Sequence, residues 1–237
     1  MNKKYTELGT LYVVATPIGN MEDITLRALR ILKEVSLILC EDTRHTRTLL
    51  SRFEIKTKTD SYHAHSNDSK LAQIAKKLEG GEDLALVSDA GTPLVSDPGV
   101  FLVVYLREKF GNDLKIVPIP GASALTAALS VIPVPEGRFT FIGFLPHKKG
   151  RQTLIKEMKE SEYATVCYES SHRILKLLKE LGEFFPQARV WIGRELTKQF
   201  EEVLEGTSTE LYRLLTEKPE KQKGEFVVVI SKELDNR

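Results

Sequence analysis

Val87-Ser88-Asp89-Ala90-Gly91-Thr92-Pro93-Leu94-Val95-Ser96-Asp97-Pro98-Gly99 is the most informative stretch of this chain. The run before it, Leu84 to Val87, is short, apolar and β-prone, as a buried parallel strand should be. A polar, glycine-containing turn comes next. A helix is then expected to open at Asp97-Pro98, with Asp97 as its cap and Pro98 where a missing N–H costs nothing. A carboxylate, Asp89, and a pliant backbone thus emerge at the carboxyl end of a strand. Small ligands bind there in open α/β sheets. The same residues also read simply as a capped strand-to-helix turn.

Nearer the N-terminus, Leu11 to Ala15 forms a strand that ends in the turn Thr16-Pro17-Ile18-Gly19-Asn20. A helix succeeds it with Ile24, Ala28, Leu29, Ile31, Leu32 and Val35 on its inner stripe. Ser36 to Cys40 is a second strand, closed by Glu41 and Asp42. The next helix starts near Thr43 and carries Arg44, His45 and Arg47 early, against the helix macrodipole. Thr57 to Asn67 is polar and carries no clear pattern. Asp68 to Glu79 is an amphipathic helix stopped by Gly80-Gly81. A helix to about Phe110 and a strand from Leu114 to Ile119 complete a βα alternation typical of a parallel sheet.

Pro120-Gly121-Ala122-Ser123-Ala124 opens another helix, from Ser123 to about Val131, and Pro133, Pro135 and Gly137 punctuate the chain beyond it. The domain boundary is placed here, giving an N-terminal α/β domain over 1–120 and a C-terminal α+β domain over 121–237. Strands are expected at Arg138–Leu145, where alternation is read, and at Tyr163–Tyr168, Ala188–Ile192, Phe200–Leu204 and Phe226–Ile230. Helices are expected near Arg151–Glu160, Ser171–Phe185 and Ser208–Glu217. The short step from Ile192 to Val203 leaves no room for a crossover helix, so those strands should be antiparallel.

Composition narrows the function classes. The 237 residues are 41% hydrophobic, with a formal net charge of +1. No global field announces a nucleic-acid partner, so any basic surface is local. Cys40 and Cys167 lie in apolar runs and read as small buried hydrophobes of a reducing compartment. The first residues lack the apolar core of a signal peptide, and no run approaches membrane-spanning length. A cytoplasmic protein without a membrane anchor is expected. His63 and His65 lack partners at ligand spacing, so no metal is expected.

There is no G-x-G-x-x-G and no Walker pattern, which argues against NAD, FAD and ATP. The turns at Pro17–Gly19, Asp89–Thr92 and Gly121–Ala124 each come after the carboxyl end of an expected strand. In one sheet they share an edge. Ser123 and Ala124 are small and permit close approach. A ligand with a purine, a ribose and a cationic centre suits such an edge.

Ala15-Thr16-Pro17-Ile18-Gly19-Asn20, Glu41-Asp42-Thr43-Arg44, Ser88-Asp89-Ala90-Gly91-Thr92-Pro93, Pro120-Gly121-Ala122-Ser123-Ala124 and Tyr168-Glu169-Ser170-Ser171-His172-Arg173 together resemble one family. It is the ribosomal RNA small subunit methyltransferase I family of the tetrapyrrole methylase superfamily, and the likeness runs from about Gly9 to Ile230. Ser171 stands where the family usually has proline, and serine can itself cap a helix. The resemblance implies two α/β domains with S-adenosylmethionine in the cleft between them. It implies 2′-O-methylation of a cytidine in 16S rRNA of the small ribosomal subunit, near the decoding centre, by a homodimer. Pro17, Ile18, Gly19, Ser88, Asp89, Thr92, Ser123 and Ala124 are the implied cofactor contacts, with Tyr168, Glu169 and Gly206 closing over the cofactor from the second domain. Relatives that methylate tetrapyrroles or modified protein side chains usually carry Gly-Asp-Pro where this chain has Ser88-Asp89-Ala90. A non-catalytic RNA-binding assembly protein that kept the fold is the other alternative.

Asp42, Glu169 and Glu195 are the candidate catalytic acids. Asp42 reads equally as a helix cap, and Glu195 as an internal ion-pair member. The candidate RNA contacts are Arg44 and Arg47, three apart on one helix, and Lys148, Lys149 and Arg151 on the basic loop after the Phe139–Leu145 strand.

Overall fold

The first sheet is built around β1 (Leu11–Val14), β2 (Leu37–Cys40) and β4 (Leu84–Leu86), with β3 (Thr59–Ser61) and β5 (Ile116–Ile119) at its edges. All pairings are parallel and the order is β3-β2-β4-β1-β5. The computed structural model describes residues 7–63, 66–134 and 137–231, so His65 and Pro135 lie outside the described residues. Two compact units emerge, Met1–Ser123 and Ala124–Arg237.

In the first unit β2 and β4 are apolar along their whole length and fully buried, as strands covered on both faces must be. α1 (Leu26–Glu34) opens where the Thr25 hydroxyl accepts from Ala28 N at 3.0 Å. It buries Ala28, Ile31 and Leu32 against Val14, Ile38 and Ala85. α3 (Asp68–Glu79) and α4 (Val100–Phe110) cover the opposite face, with Ile74, Leu78, Leu102 and Leu106 packed on Leu11, Leu39 and Leu84. α2 (Thr43–Arg52) is capped by Asp42, whose carboxylate offsets the early basic residues.

Two expectations change here. The polar stretch after Thr57 holds β3, a three-residue edge strand without the apolar pattern that marks strands. Asp97 does not cap α4. The helix starts later, with Gly99 at φ 128° as its cap and no side-chain bond. Leu94 and Ser96 sit at φ 72° and 62°, so the chain before Gly99 is turn and not helix.

The second unit carries β6 (Phe139–Phe144), β7 (Ala164–Ser170), β8 (Arg189–Arg194), β9 (Glu202–Thr207) and β10 (Glu225–Ser231) in the order β6-β7-β10-β8-β9. β6 and β7 are parallel and the other pairs antiparallel, including the expected β8–β9 pair. α5 (Ala124–Leu129), α6 (Arg151–Glu160), α7 (Ile174–Phe184) and α8 (Ser208–Glu217) complete it. Leu177, Leu178, Leu181, Leu211 and Leu215 pack on Val190, Ile192 and Val228. α8 opens with a reciprocal capping box between Thr207 and Glu210.

β6 departs from simple alternation. Its register shifts between Phe141 and Phe144, and Gly143 adopts φ 63°. α7 begins at Ile174 and not at Ser171. The Ser171 hydroxyl caps nothing: it donates to Gly224 O at 2.7 Å and accepts from Gly224 N at 2.9 Å. Cys40 and Cys167 are both fully buried. No described helix is long and apolar enough to cross a membrane.

Candidate functional site

β4, β1 and β5 are neighbours, so the turns leaving their carboxyl ends meet. Thr16 N donates to Gly91 O at 2.9 Å and Gly91 N returns a bond to Thr16 O at 3.0 Å. The Thr16 hydroxyl reaches Ser88 O at 3.1 Å. The Thr92 hydroxyl donates to Ala122 O at 3.2 Å. A Cβ on Gly121 would lie 3.0 Å from that of Ala15, so these two turns touch backbone to backbone. A fourth turn joins them, because Asp42 N donates to Asp89 Oδ1 at 3.2 Å. Pro17, Ile18, Gly19, Ser88, Asp89, Thr92 and Ser123 thus share one edge of the first unit. Among the described residues no group of three or more His, Cys, Asp or Glu could hold a metal.

Asp97 belongs to this edge, a placement the capping expectation missed. Its carboxyl is pushed up to about 6 by burial and by the nearby Glu41 and Asp89 carboxylates, against a hydrogen bond with Ser88 that lowers it. A raised folded-state value means that the favourable contribution of the neutral carboxyl is complete below the ordinary Asp range. It is lost as pH rises through about 6. Asp97→Asn keeps the neutral shape at every pH. It should raise the melting temperature at pH 7–8 by about 2–4 °C, for about 1 kcal/mol in a chain of this size, and leave it unchanged near pH 4. Thermal scans across that range check this, and an equal effect at both ends contradicts it.

Asp42 sits at the site but is already occupied. Its carboxylate accepts from Arg44 N at 2.8 Å and from the Arg44 guanidinium at 2.8 and 3.2 Å. Those bonds hold it at about 2, too acidic for a general base near neutral pH. Arg44 is otherwise exposed, as is Arg47 one turn on.

In the second unit the Tyr168 hydroxyl accepts from Leu125 N at 3.1 Å, next to Ala124. Its ring meets Phe141 and Phe144 edge-on. Gly206 is not brought to it: β10 and β8 intervene between β7 and β9. A Cβ on Gly206 would lie 3.1 Å from Glu210 Oε2, so this glycine makes room for the start of α8.

Glu169 and Arg151 require correction. The Glu169 side chain is fully buried, with Arg173 Nε at 2.9 Å and Arg151 Nη1 at 3.6 Å. It also accepts from Ser170 N at 2.9 Å. Such a carboxylate has no free face for a cofactor or a proton in transit. Arg151 is 3% exposed and bonds Glu180 Oε2 at 2.8 Å and Pro146 O at 3.2 Å, so it cannot reach RNA. Lys148 and Lys149 of the same loop are exposed. Glu195 is internal, accepting from Lys198 Nζ at 2.9 Å and Glu225 N at 3.0 Å.

Residues 10–212 match the model of the tetrapyrrole (corrin/porphyrin) methylases. The ribosomal RNA small subunit methyltransferase I of Xylella fastidiosa is 46% identical over 94% of this chain and 81% of its own length. The chain belongs to the ribosomal RNA small subunit methyltransferase I family. Diphthine synthase superposes with a TM-score of 0.71 at 17% identity, over 94% of this chain and 89% of that one. The uroporphyrin-III C-methyltransferase of Thermus thermophilus, solved with S-adenosyl homocysteine, gives 0.63 at 18% identity, over 93% and 97%. These two likenesses establish the shared fold alone. The small subunit methyltransferase I family thus shares its fold with tetrapyrrole and protein-modifying enzymes, and identity of 46% against 17–18% sets this chain with the rRNA enzymes.

Proposed function

We propose that this chain methylates the ribose 2′-hydroxyl of a cytidine in 16S rRNA of the small ribosomal subunit, near the decoding centre, using S-adenosylmethionine. Family membership supports methyl transfer to small-subunit rRNA. The observation that carries the cofactor is the mutual hydrogen bonding of the turns after β1, β4 and β5. A homodimer in the cytoplasm belongs to the same reading, as properties of the family the sequence resembles.

The residues of that edge fit the cofactor. Asp89 Oδ1 is held by Asp42 N, which leaves Oδ2 to accept a ribose hydroxyl or face a cation. The acids Glu41, Asp89 and Asp97 lie close enough to perturb one another, a field that favours a positive centre. Pro17 and the Thr16–Gly91 pair fix neighbouring backbone groups in place for a purine. Bound there, S-adenosylmethionine supplies an already activated methyl group.

The protein then has two tasks. It must hold the ribose oxygen in line and exclude water. It must also take the hydroxyl proton, and the Asp97 carboxylate is the group on this edge with a value near neutrality. Methyl transfer should therefore rise through about pH 6 and lose that limb in Asp97→Asn. Arg44, Arg47, Lys148 and Lys149 are the cations assigned to RNA phosphates.

The product distinguishes this reading from its rivals. Small subunits incubated with labelled cofactor, digested to nucleosides and resolved by mass spectrometry should carry label in 2′-O-methylcytidine. Label in a base-methylated nucleoside overturns the assignment. Cofactor binding without any transfer favours the non-catalytic assembly protein.

A further inference from the structure

A recess of about 360 Å³ lies beside α2, lined by Arg47, Leu50 and Ser51 of the helix, by Ile55 to Lys58 of the linker after it, and by Thr59 of β3. No carboxylate is among these lining residues. Cations elsewhere in this unit are matched to acids: Arg30 to Glu34, Arg44 to Asp42, Lys77 to Glu82 and Lys109 to Glu79. Among the described residues Arg47, Lys56 and Lys58 meet no carboxylate at ion-pair distance, and the adjacent Asp60 is taken by Lys70 at 2.6 Å. Three unmatched cations on one recess, in a chain of net charge +1, concentrate the local field at one place.

The recess is held by backbone. The Thr57 hydroxyl donates to Leu32 O at 2.6 Å, and Ile38 N donates to Lys58 O at 2.9 Å. Thr57 is thereby turned inward and its neighbours Lys56 and Lys58 remain exposed. Arg47 and Ser51 are four apart and share a helix face, so guanidinium and hydroxyl donors project together. Leu50 and Ile55 are buried beneath. Cationic and hydroxyl donors over an apolar floor match a phosphodiester and its sugar.

We propose that this recess binds the phosphodiester backbone of the RNA substrate, away from the nucleotide that is methylated. This rests on the rRNA reading. It adds Lys56, Lys58 and Ser51 as RNA contacts and moves Arg47 from the strand-end edge to a second anchoring point.

The test is Lys56→Ala/Lys58→Ala beside the charge-keeping Lys56→Arg/Lys58→Arg. Binding of a labelled single-stranded, cytidine-containing RNA oligonucleotide is monitored by anisotropy across a potassium chloride series. The alanine pair should flatten the slope of log affinity against log salt by about 1.4, from about 0.7 for each lost phosphate contact on a single strand. The arginine pair should keep the slope. S-adenosyl homocysteine affinity and melting temperature should match wild type in both. An unchanged slope in the alanine pair overturns the proposal. Inorganic phosphate that binds wild type and not the alanine pair, with RNA binding unaltered, assigns the recess to a free phosphate and also overturns it. Methyl transfer by wild type to small-subunit rRNA is measured alongside. Its absence refutes the rRNA reading, whereas normal transfer with an unchanged slope refutes only the recess.

Discussion

Glu169→Ala should lower stability by about 3–5 kcal/mol, the cost of stranding buried charge when one partner is removed. The Glu169 side chain is fully buried and faces two guanidiniums, Arg151 at 3% and Arg173 at 13% side-chain exposure. Arg151 keeps Glu180 at 2.8 Å, but Arg173 has no other carboxylate among the described ion pairs. Glu169→Gln retains hydrogen-bonding capacity and should cost less. Urea denaturation, read as the midpoint at constant slope, measures both. A loss below about 1 kcal/mol in the alanine variant would mean that water already reaches the pair. Lys148→Ala/Lys149→Ala, on the exposed part of the same loop, should leave the midpoint alone.

Gly91→Val should weaken cofactor binding by about 100-fold or more, equivalent to about 2.8 kcal/mol, in a protein that still folds. Gly91 sits at φ 84°, where a side chain is strained by about 1–2 kcal/mol. Its added Cβ would lie 3.4 Å from Ile18 Cγ2, and the branching methyls of valine would press closer. Relief requires the turn to move, which breaks the reciprocal Thr16–Gly91 bonds that join the turns after β1 and β4. The hydrophobic clusters beneath the sheet do not include Gly91, so circular dichroism should remain that of the folded chain. Titration calorimetry with S-adenosyl homocysteine decides it. Affinity within about threefold of wild type, on the same scale, would remove this turn from the cofactor site.

The sequence carried most of the architecture because the relevant signals are local. Leu84 to Leu86 and Leu37 to Cys40 are continuous apolar runs, and Asp68 to Glu79 has a periodic stripe with an Asn67 cap and Gly80 at its end. Thr59-Asp60-Ser61 has neither signal: β3 exists because β2 offers it a paired edge, a non-local cause. The start of α4 was misplaced for the opposite reason. Asp97-Pro98 is a strong local start signal, but burial among Ser88, Glu41 and Asp89 claims the aspartate, and Gly99 takes the cap.

The site was legible to the same extent. Three turns at strand ends could be counted on to converge once the strands were parallel and adjacent, and β4-β1-β5 are. What could not be read was which charged residues face inward. Arg151 looks like the end of a basic loop in sequence, yet it opens α6 and turns onto Glu180 and Glu169. Ser171 looks like a cap and instead grips Gly224, a residue far along the chain. Such partners become visible only when distant segments are folded together.

β1 is paired on both sides by strands made much later: Leu11 lies opposite Leu84 of β4 and Ile116 of β5. During synthesis the first strand must therefore wait, with its edges unsatisfied, until nearly the whole first unit has left the ribosome. The turn after β1 receives its bonds from Gly91 and from Ile119 only at that point. Pairings this distant in sequence are slow to close. An incomplete nascent chain consequently has no cofactor pocket, and the cofactor stabilises finished units selectively, by mass action, over every partially made one.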